Sequence, residues 1–141
     1  MQGNIQNVRQ TSCDNSLSVL VTGAAGFIGS HVCEALLQRG NEVIGIDNLD
    51  SFYDPKTKRR NLARCLADAR FSLVEGDIRD FELMSSTIDE SLDGVIHLAA
   101  RAGVRPSIED PLLYADVNIR GTTVLLEALR RHPTCKLIFG S

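Results

Sequence analysis

The apolar run Val19-Leu20-Val21-Thr22 breaks into Gly23-Ala24-Ala25-Gly26-Phe27-Ile28-Gly29, and an amphipathic helical pattern follows without a gap. Three glycines at a three-residue spacing, set between a strand and a helix, leave the backbone few options. The first permits a tight turn out of the strand, the second brings bare backbone to the surface, and the third lets the helix press against the sheet. A helix that starts there presents unpaired N–H groups and about half a positive charge. The anion best suited to such a backbone cradle is the pyrophosphate of a dinucleotide; a strand–helix turn without a ligand is the plain alternative.

Downstream, short apolar runs alternate with helical ones. Strands are predicted over 17–22, 42–47, 71–75, 94–99 and 136–139. The first helix carries Phe27, Ile28, Val32, Ala35 and Leu36 as its apolar set and stops at Gly40. The stretch 54–68 reads as one helix with a charged outer face and with Leu62 and Leu66 inward, and 81–91 as a helix burying Leu83, Met84 and Ile88. A long helix over 111–131 buries Leu112, Leu113, Val117, Val124, Leu125, Ala128 and Leu129, and Pro133 closes it. Strands separated by helices predict an α/β fold, a doubly wound parallel sheet of about five strands with helices on both faces. Right-handed crossovers then open a crevice at the carboxyl ends of the first and fourth strands.

The 141 residues suit one domain, assigned to 17–141, with a polar, Gln- and Asn-rich lead-in over 1–16 read as disordered. The lead-in lacks a basic segment running into an apolar block, which argues against a secretory signal. A net charge of -3 argues against a nucleic-acid partner, and no apolar run nears the roughly 20 residues that cross a membrane. Cys13, Cys33, Cys65 and Cys135 show neither C-x-x-C nor matching His spacing. They read as free thiols of a cytoplasmic protein, with no metal site expected.

Asp47 ends the second strand 18 residues after Gly29, the offset of a carboxylate that accepts bonds from an adenosine ribose. Its charge disfavours a 2′-phosphate, and so NADP, by repulsion; a turn-forming Asp before Asn48 is the alternative. Lys56, Lys58, Arg59 and Arg60 follow on a predicted helix and read as a solvated face. Asp77 leaves the third strand within Glu75-Gly76-Asp77-Ile78-Arg79, where it can bond an adenine amino group while Ile78 covers the ring. Capping the helix that follows is its other reading. His97-Leu98-Ala99-Ala100-Arg101-Ala102 ends the fourth strand in small residues that let a pyrophosphate and a nicotinamide ribose lie close. His97 itself reads as a hydrogen-bonded core residue.

The glycine turn, Asp47-Asn48-Leu49, Gly76-Asp77-Ile78-Arg79, His97-Leu98-Ala99-Ala100 and Asp116-Val117-Asn118-Ile119-Arg120-Gly121-Thr122 fall in order at consistent intervals. Together they resemble the extended short-chain dehydrogenase/reductase family, and within it the NAD-dependent nucleotide-sugar epimerases and dehydratases, from residue 17 to the end. Ala102-Gly103-Val104-Arg105-Pro106-Ser107 with Pro111, and Asp50-Ser51-Phe52-Tyr53-Asp54-Pro55, are most similar to the UDP-glucuronate 4-epimerase branch. The resemblance implies a Rossmann-type domain with NAD as cofactor. Gly23, Gly26, Phe27 and Ile28 would touch the pyrophosphate, Asp47 and Asn48 the ribose, and Asp77 and Ile78 the adenine. Leu98, Ala99, Ala100 and Arg101 would line the nicotinamide side, with Asn118 holding backbone close to the cofactor.

The resemblance also implies 4-epimerisation of a nucleotide sugar through a transient 4-keto sugar, driven by a tyrosinate with a lysine four residues on. This chain has no Tyr-x-x-x-Lys: Tyr53 is followed four positions on by Thr57, and Tyr114 by Asn118. The family's substrate-orienting Ser or Thr would fall at Ser141 at the earliest. The expectation is therefore a truncated sheet, the coenzyme-holding portion of an epimerase, with no catalytic residue of its own and the substrate domain absent. Family enzymes pair as homodimers through the long helix, so self-association is expected. A non-catalytic NAD-sensing module, a nucleotide-sugar 4,6-dehydratase and an NADP-linked reductase are the alternatives.

Overall fold

Along the first strand the period-two alternation of side chains divides the core in two, Leu20 facing one side and Val19 and Val21 the other. The computed structural model describes residues 16–51 and 54–140. The lead-in up to residue 15, Cys13, Phe52, Tyr53 and Ser141 lie outside the described residues. Five strands, β1 (Ser18–Thr22), β2 (Glu42–Asp47), β3 (Phe71–Glu75), β4 (Gly94–His97) and β5 (Lys136–Phe139), form one sheet in the order β3-β2-β1-β4-β5. Every pairing is parallel. The order reverses between β1 and β4, so the doubly wound expectation holds, with the switch point where it was placed.

One face of the sheet is covered by α1 (Phe27–Gln38), α2 (Pro55–Asn61) and α3 (Ala63–Leu66). There Val19, Val21, Val43, Cys33, Leu37 and Leu62 form a core. On the other face α4 (Phe81–Thr87) and α7 (Gly121–Leu129) pack Met84, Leu125, Ala128 and Leu129 against Leu20, Ile46 and Val95. Two short helices, α5 (Val104–Glu109) and α6 (Pro111–Ala115), connect β4 to a π-helical turn, Asp116–Arg120, that runs into α7. Among the described residues no helix is long and apolar enough to cross a membrane.

Several expected elements take a different form. The stretch 54–68 is two short helices meeting at buried Leu62, and Leu66 is exposed. The long helix is interrupted by the π turn, and Leu112 faces solvent instead of the core. Helix α1 buries Gly29, Ser30, Cys33 and Leu37 while Phe27 and Ile28 point outward, 76% and 65% exposed. The cause is close approach: a Cβ at Gly29 would overlap the carbonyl oxygen of Gly23, so small residues occupy the start of the inward face. Gly40, at φ +86°, ends α1 as expected.

Candidate dinucleotide groove

Each of the first four strands ends at one groove along the carboxyl edge of the sheet. Gly23 and Gly26 enter it from the turn after β1, Asp47 and Asn48 from β2, Asp77 and Ile78 from β3, and 98–101 from β4. The side chains of Phe27 and Ile28 stand outside this lining, as do Gly29 and Asn118. What Phe27 and Ile28 offer is backbone at the start of α1, where N–H groups lack helical acceptors.

The glycine turn is fastened to β2. Gly23 N and Ala24 N donate to Ile46 O at 2.8 and 3.2 Å, and Ala25 N donates to Asp47 Oδ2 at 3.0 Å. Gly23 holds φ +71°, and a Cβ there would sit 2.8 Å from Ala99 N, so the turn also lies hard against the end of β4.

Asp47 is buried and nearly saturated. Its Oδ1 accepts from Leu49 N at 2.8 Å and from Lys58 Nζ at 3.0 Å, and Oδ2 takes the Ala25 bond. Three of its roughly four acceptor positions are thereby used, which leaves room for one further donor and not for a pair of ribose hydroxyls. Lys58 overturns its reading as part of a solvated face: its side chain is 10% exposed and lines the groove. From the same face of α2, three residues on, Asn61 Nδ2 donates to Ala25 O at 3.1 Å. Thus α2 grips both the acidic residue and the turn. Arg59 and Arg60 are exposed, as expected of the charged face.

Asp77 does not cap α4; Asp80 does, accepting from Leu83 N. Instead Asp77 Oδ1 accepts from Arg79 N and Nε at 2.9 Å each, and Oδ2 accepts from Arg79 Nη2 at 2.7 Å and from Asn48 Nδ2 at 3.0 Å. The guanidinium of Arg79 holds the Asp77 carboxyl far below the usual carboxylate range, and is itself raised. Arg79 Nη1 continues to Asp116 in the π turn at 2.6 Å.

A polar rim follows from these contacts. Asn48 Oδ1 accepts from Asp50 N, Arg101 Nη1 meets Asp50 Oδ2 at 3.2 Å, and the Asn118 side chain clamps Arg101 by both backbone groups, accepting from its N–H and donating to its carbonyl. Asn118 therefore acts one residue behind the groove, fixing the segment that lines it. Because Asn118 and Asp116 share the π turn, the chain of contacts closes on itself through Arg79 and Asp77. Within the rim, Ile46, Ile78, Leu98, Leu113 and Val117 supply an apolar lining.

At the end of β4, His97 is buried between two threonines, with Nδ1 2.6 Å from Thr22 Oγ1 and Nε2 3.0 Å from Thr122 Oγ1. Thr122 Oγ1 spends its proton on Asn118 O, so Nε2 carries the hydrogen and Nδ1 accepts from Thr22. Burial pushes this imidazole's pKa down. It is the hydrogen-bonded core residue that the sequence suggested.

Cys33, Cys65 and Cys135 are free thiols, and burial pushes Cys33 up to about 12. Among the described residues no group of His, Cys, Asp or Glu is placed to hold a metal ion. Sequence reasoning missed Lys58, Asp50, Arg79, Leu113 and Val117 in the groove. Only Lys58 had an available signal, since a lysine three residues before an Asn places both side chains on one helical face.

The model of the GDP-mannose 4,6 dehydratase family matches residues 20–141. UDP-glucuronate 4-epimerase 4 of Arabidopsis thaliana is 49% identical over 134 residues, covering 94% of this chain and 30% of that protein. The UDP-glucuronate 4-epimerase of Thermodesulfobacterium geofontis is 44% identical over 123 residues, covering 86% and 38%. Among solved structures, UDP-glucuronic acid 4-epimerase from Bacillus cereus in complex with UDP-glucuronic acid and NAD superposes with a TM-score of 0.80 at 39% identity, covering 87% of this chain and 39% of that one. The dTDP-glucose 4,6-dehydratase of Streptomyces venezuelae with NAD bound gives 0.77 at 35%, covering 86% and 38%. The chain spans about a third of the length of these relatives.

Proposed function

From the premise that the chain belongs to the GDP-mannose 4,6 dehydratase family, we propose that residues 17–141 form a domain that holds NAD in the groove described above. The observation that carries this reading is the bond from Ala25 N to Asp47 Oδ2. It joins the backbone cradle for a pyrophosphate to the acidic group at the ribose position in one rigid unit. The residues present fit the coenzyme: Gly26 leaves its surface open, a Cβ there meeting only Gly23 O at 3.2 Å.

In this reading Gly23, Gly26 and the backbone of Phe27 and Ile28 hold the pyrophosphate, which the start of α1 favours electrostatically. Gly29 allows the helix to reach that position. Asp47 and Asn48, joined by Lys58, face the ribose; Asp77 and Ile78 take the adenine; Leu98, Ala99, Ala100 and Arg101 line the nicotinamide side, held by Asn118. When bound, NAD supplies reversible hydride acceptance for 4-epimerisation of a nucleotide sugar, the activity named for the relatives above. The residues of this chain bind and orient, and none is assigned to proton transfer, since no Tyr-x-x-x-Lys occurs in the sequence. A nucleotide-sugar substrate, a homodimeric assembly and a cytoplasmic setting complete the proposal.

A second reading draws on the Lys58–Asp47 pair. The ammonium offsets the charge that would repel a 2′-phosphate, which favours the NADP-linked alternative. Calorimetric titration with both coenzymes separates the readings. NAD binding at least tenfold more tightly supports the first, NADP preference supports the second, and silence toward both at millimolar concentration overturns the dinucleotide assignment.

A further inference from the structure

Each oxygen of Asp77 accepts two hydrogen bonds, so the carboxylate is full. Three of the four donors belong to Arg79, whose backbone is two residues away and whose guanidinium is tied on its far side to Asp116 at 2.6 Å. Those three are charge-assisted or covalently local and do not exchange easily. The fourth comes from Asn48 Nδ2, a neutral amide on an exposed side chain, at 3.0 Å. An incoming amino group can reach Asp77 only by displacing it.

We propose that Asn48 is a specificity-determining residue of the groove, its amide standing on Asp77 Oδ2 where the 6-amino group of an adenine binds. The inference rests on the dinucleotide reading above and deepens it. An amide N–H and an aromatic amine N–H are like donors to a carboxylate. The exchange therefore replaces one bond with another and leaves no acceptor bare. A base with a 6-oxo group presents a lone pair to an anion at that point, gains nothing from Asp77 and leaves Asn48 in place. Asn48 has a second effect: because it can return to Asp77, it softens the penalty for a base that lacks the amino group. A site left unpaired by the wrong ligand rejects it strongly; a site that re-caps itself rejects it less. Asn48 thus lowers affinity for adenine and blunts discrimination at the same time.

The test compares NAD with nicotinamide hypoxanthine dinucleotide, which differ at the base alone, so that contacts made identically to both ligands cancel in the ratio of dissociation constants. In Asn48→Ala the ratio, hypoxanthine over adenine, should rise about three- to tenfold above that of the unsubstituted chain. Asn48→Ser keeps a short side-chain oxygen able to accept from Asp50 N, takes away the amide donor and adds no charge beside Asp77, so its ratio should rise as well even if loss of the loop contact disturbs Asn48→Ala. Ratios within twofold of the unsubstituted value in both variants, with NAD still bound, overturn the role of Asn48 alone. If the unsubstituted chain binds neither dinucleotide, the dinucleotide reading falls and this inference with it.

Discussion

Lys58 Nζ lies 3.0 Å from Asp47 Oδ1, and both side chains are buried, 10% and 5% exposed. The pair sits at the end of β2, and the other carboxylate oxygen of Asp47 holds the glycine turn. Removing the ammonium leaves a buried carboxylate supported by two backbone N–H groups alone. Lys58→Met should therefore destabilise the fold by about 3 kcal/mol, measured as a shift in urea unfolding. Adding Asp47→Asn to that variant should recover part of the loss, and a double-mutant cycle giving no coupling would show the contact to be incidental.

The glycines of the turn differ in what they tolerate. A Cβ at Gly29 overlaps Gly23 O, whereas one at Gly26 meets that oxygen at 3.2 Å. Gly29→Ala should disrupt folding outright, by more than the roughly 1–3 kcal/mol usual for overpacking. Gly26→Ala should fold with native circular dichroism and lose at least tenfold in dinucleotide affinity. Equal stability of the two variants would contradict this division.

His97 gives the fold a dependence on pH. Burial lowers its folded pKa below the value near 6.5 of the unfolded chain. The unfolded state then binds more protons as the solution is acidified, so stability is full above about pH 6.5 and is lost as pH falls through the folded value. Expected is a urea midpoint that drops between about pH 7.5 and pH 5.5, and a flatter profile in His97→Gln. Asp77 adds a similar loss at lower pH: Arg79 depresses its carboxyl, and that stabilisation is full above about pH 4 and fades below it.

Strand β5 pairs with β4 alone among the described residues, and Leu137, Ile138 and Phe139 are exposed on it, Ile138 at 62%. An apolar edge of this kind templates further pairing. Sedimentation should show association that rises with concentration, and Ile138→Lys should suppress it; a clean monomer throughout would count against the edge as the contact.

What the sequence disclosed depended on range. Strands β2, β3 and β5 were legible to the residue, because short, mainly apolar runs set off by nearby Gly, Asp and Pro leave little freedom. The glycine turn and the acidic strand ends were legible from spacing. Lys58 was not, because its burial arises only when α2 folds over β2 and meets Asp47; the spacing to Asn61 marks a shared helical face but not what that face meets. The outward turn of Phe27 and Ile28 was hidden for a related reason: hydrophobic periodicity assumes that the largest residues face the core, and a close contact at Gly29 reverses that. Asp77 looked available in sequence, and only its geometry with Arg79 and Asn48 reveals it to be occupied.

The π turn at Asp116–Arg120 holds one more residue than an α-helical ladder needs, and each residue advances the helix by about 100°. The surplus acts as a phase shifter. It lets a single run of helix aim Asp116 and Asn118 at the strand ends and, a turn later, deliver Leu125, Ala128 and Leu129 to the sheet. Excising one position there would heal the ladder into regular α-helix and swing one of these two groups out of alignment, so the extra residue is what allows one rod to serve both the rim and the interior.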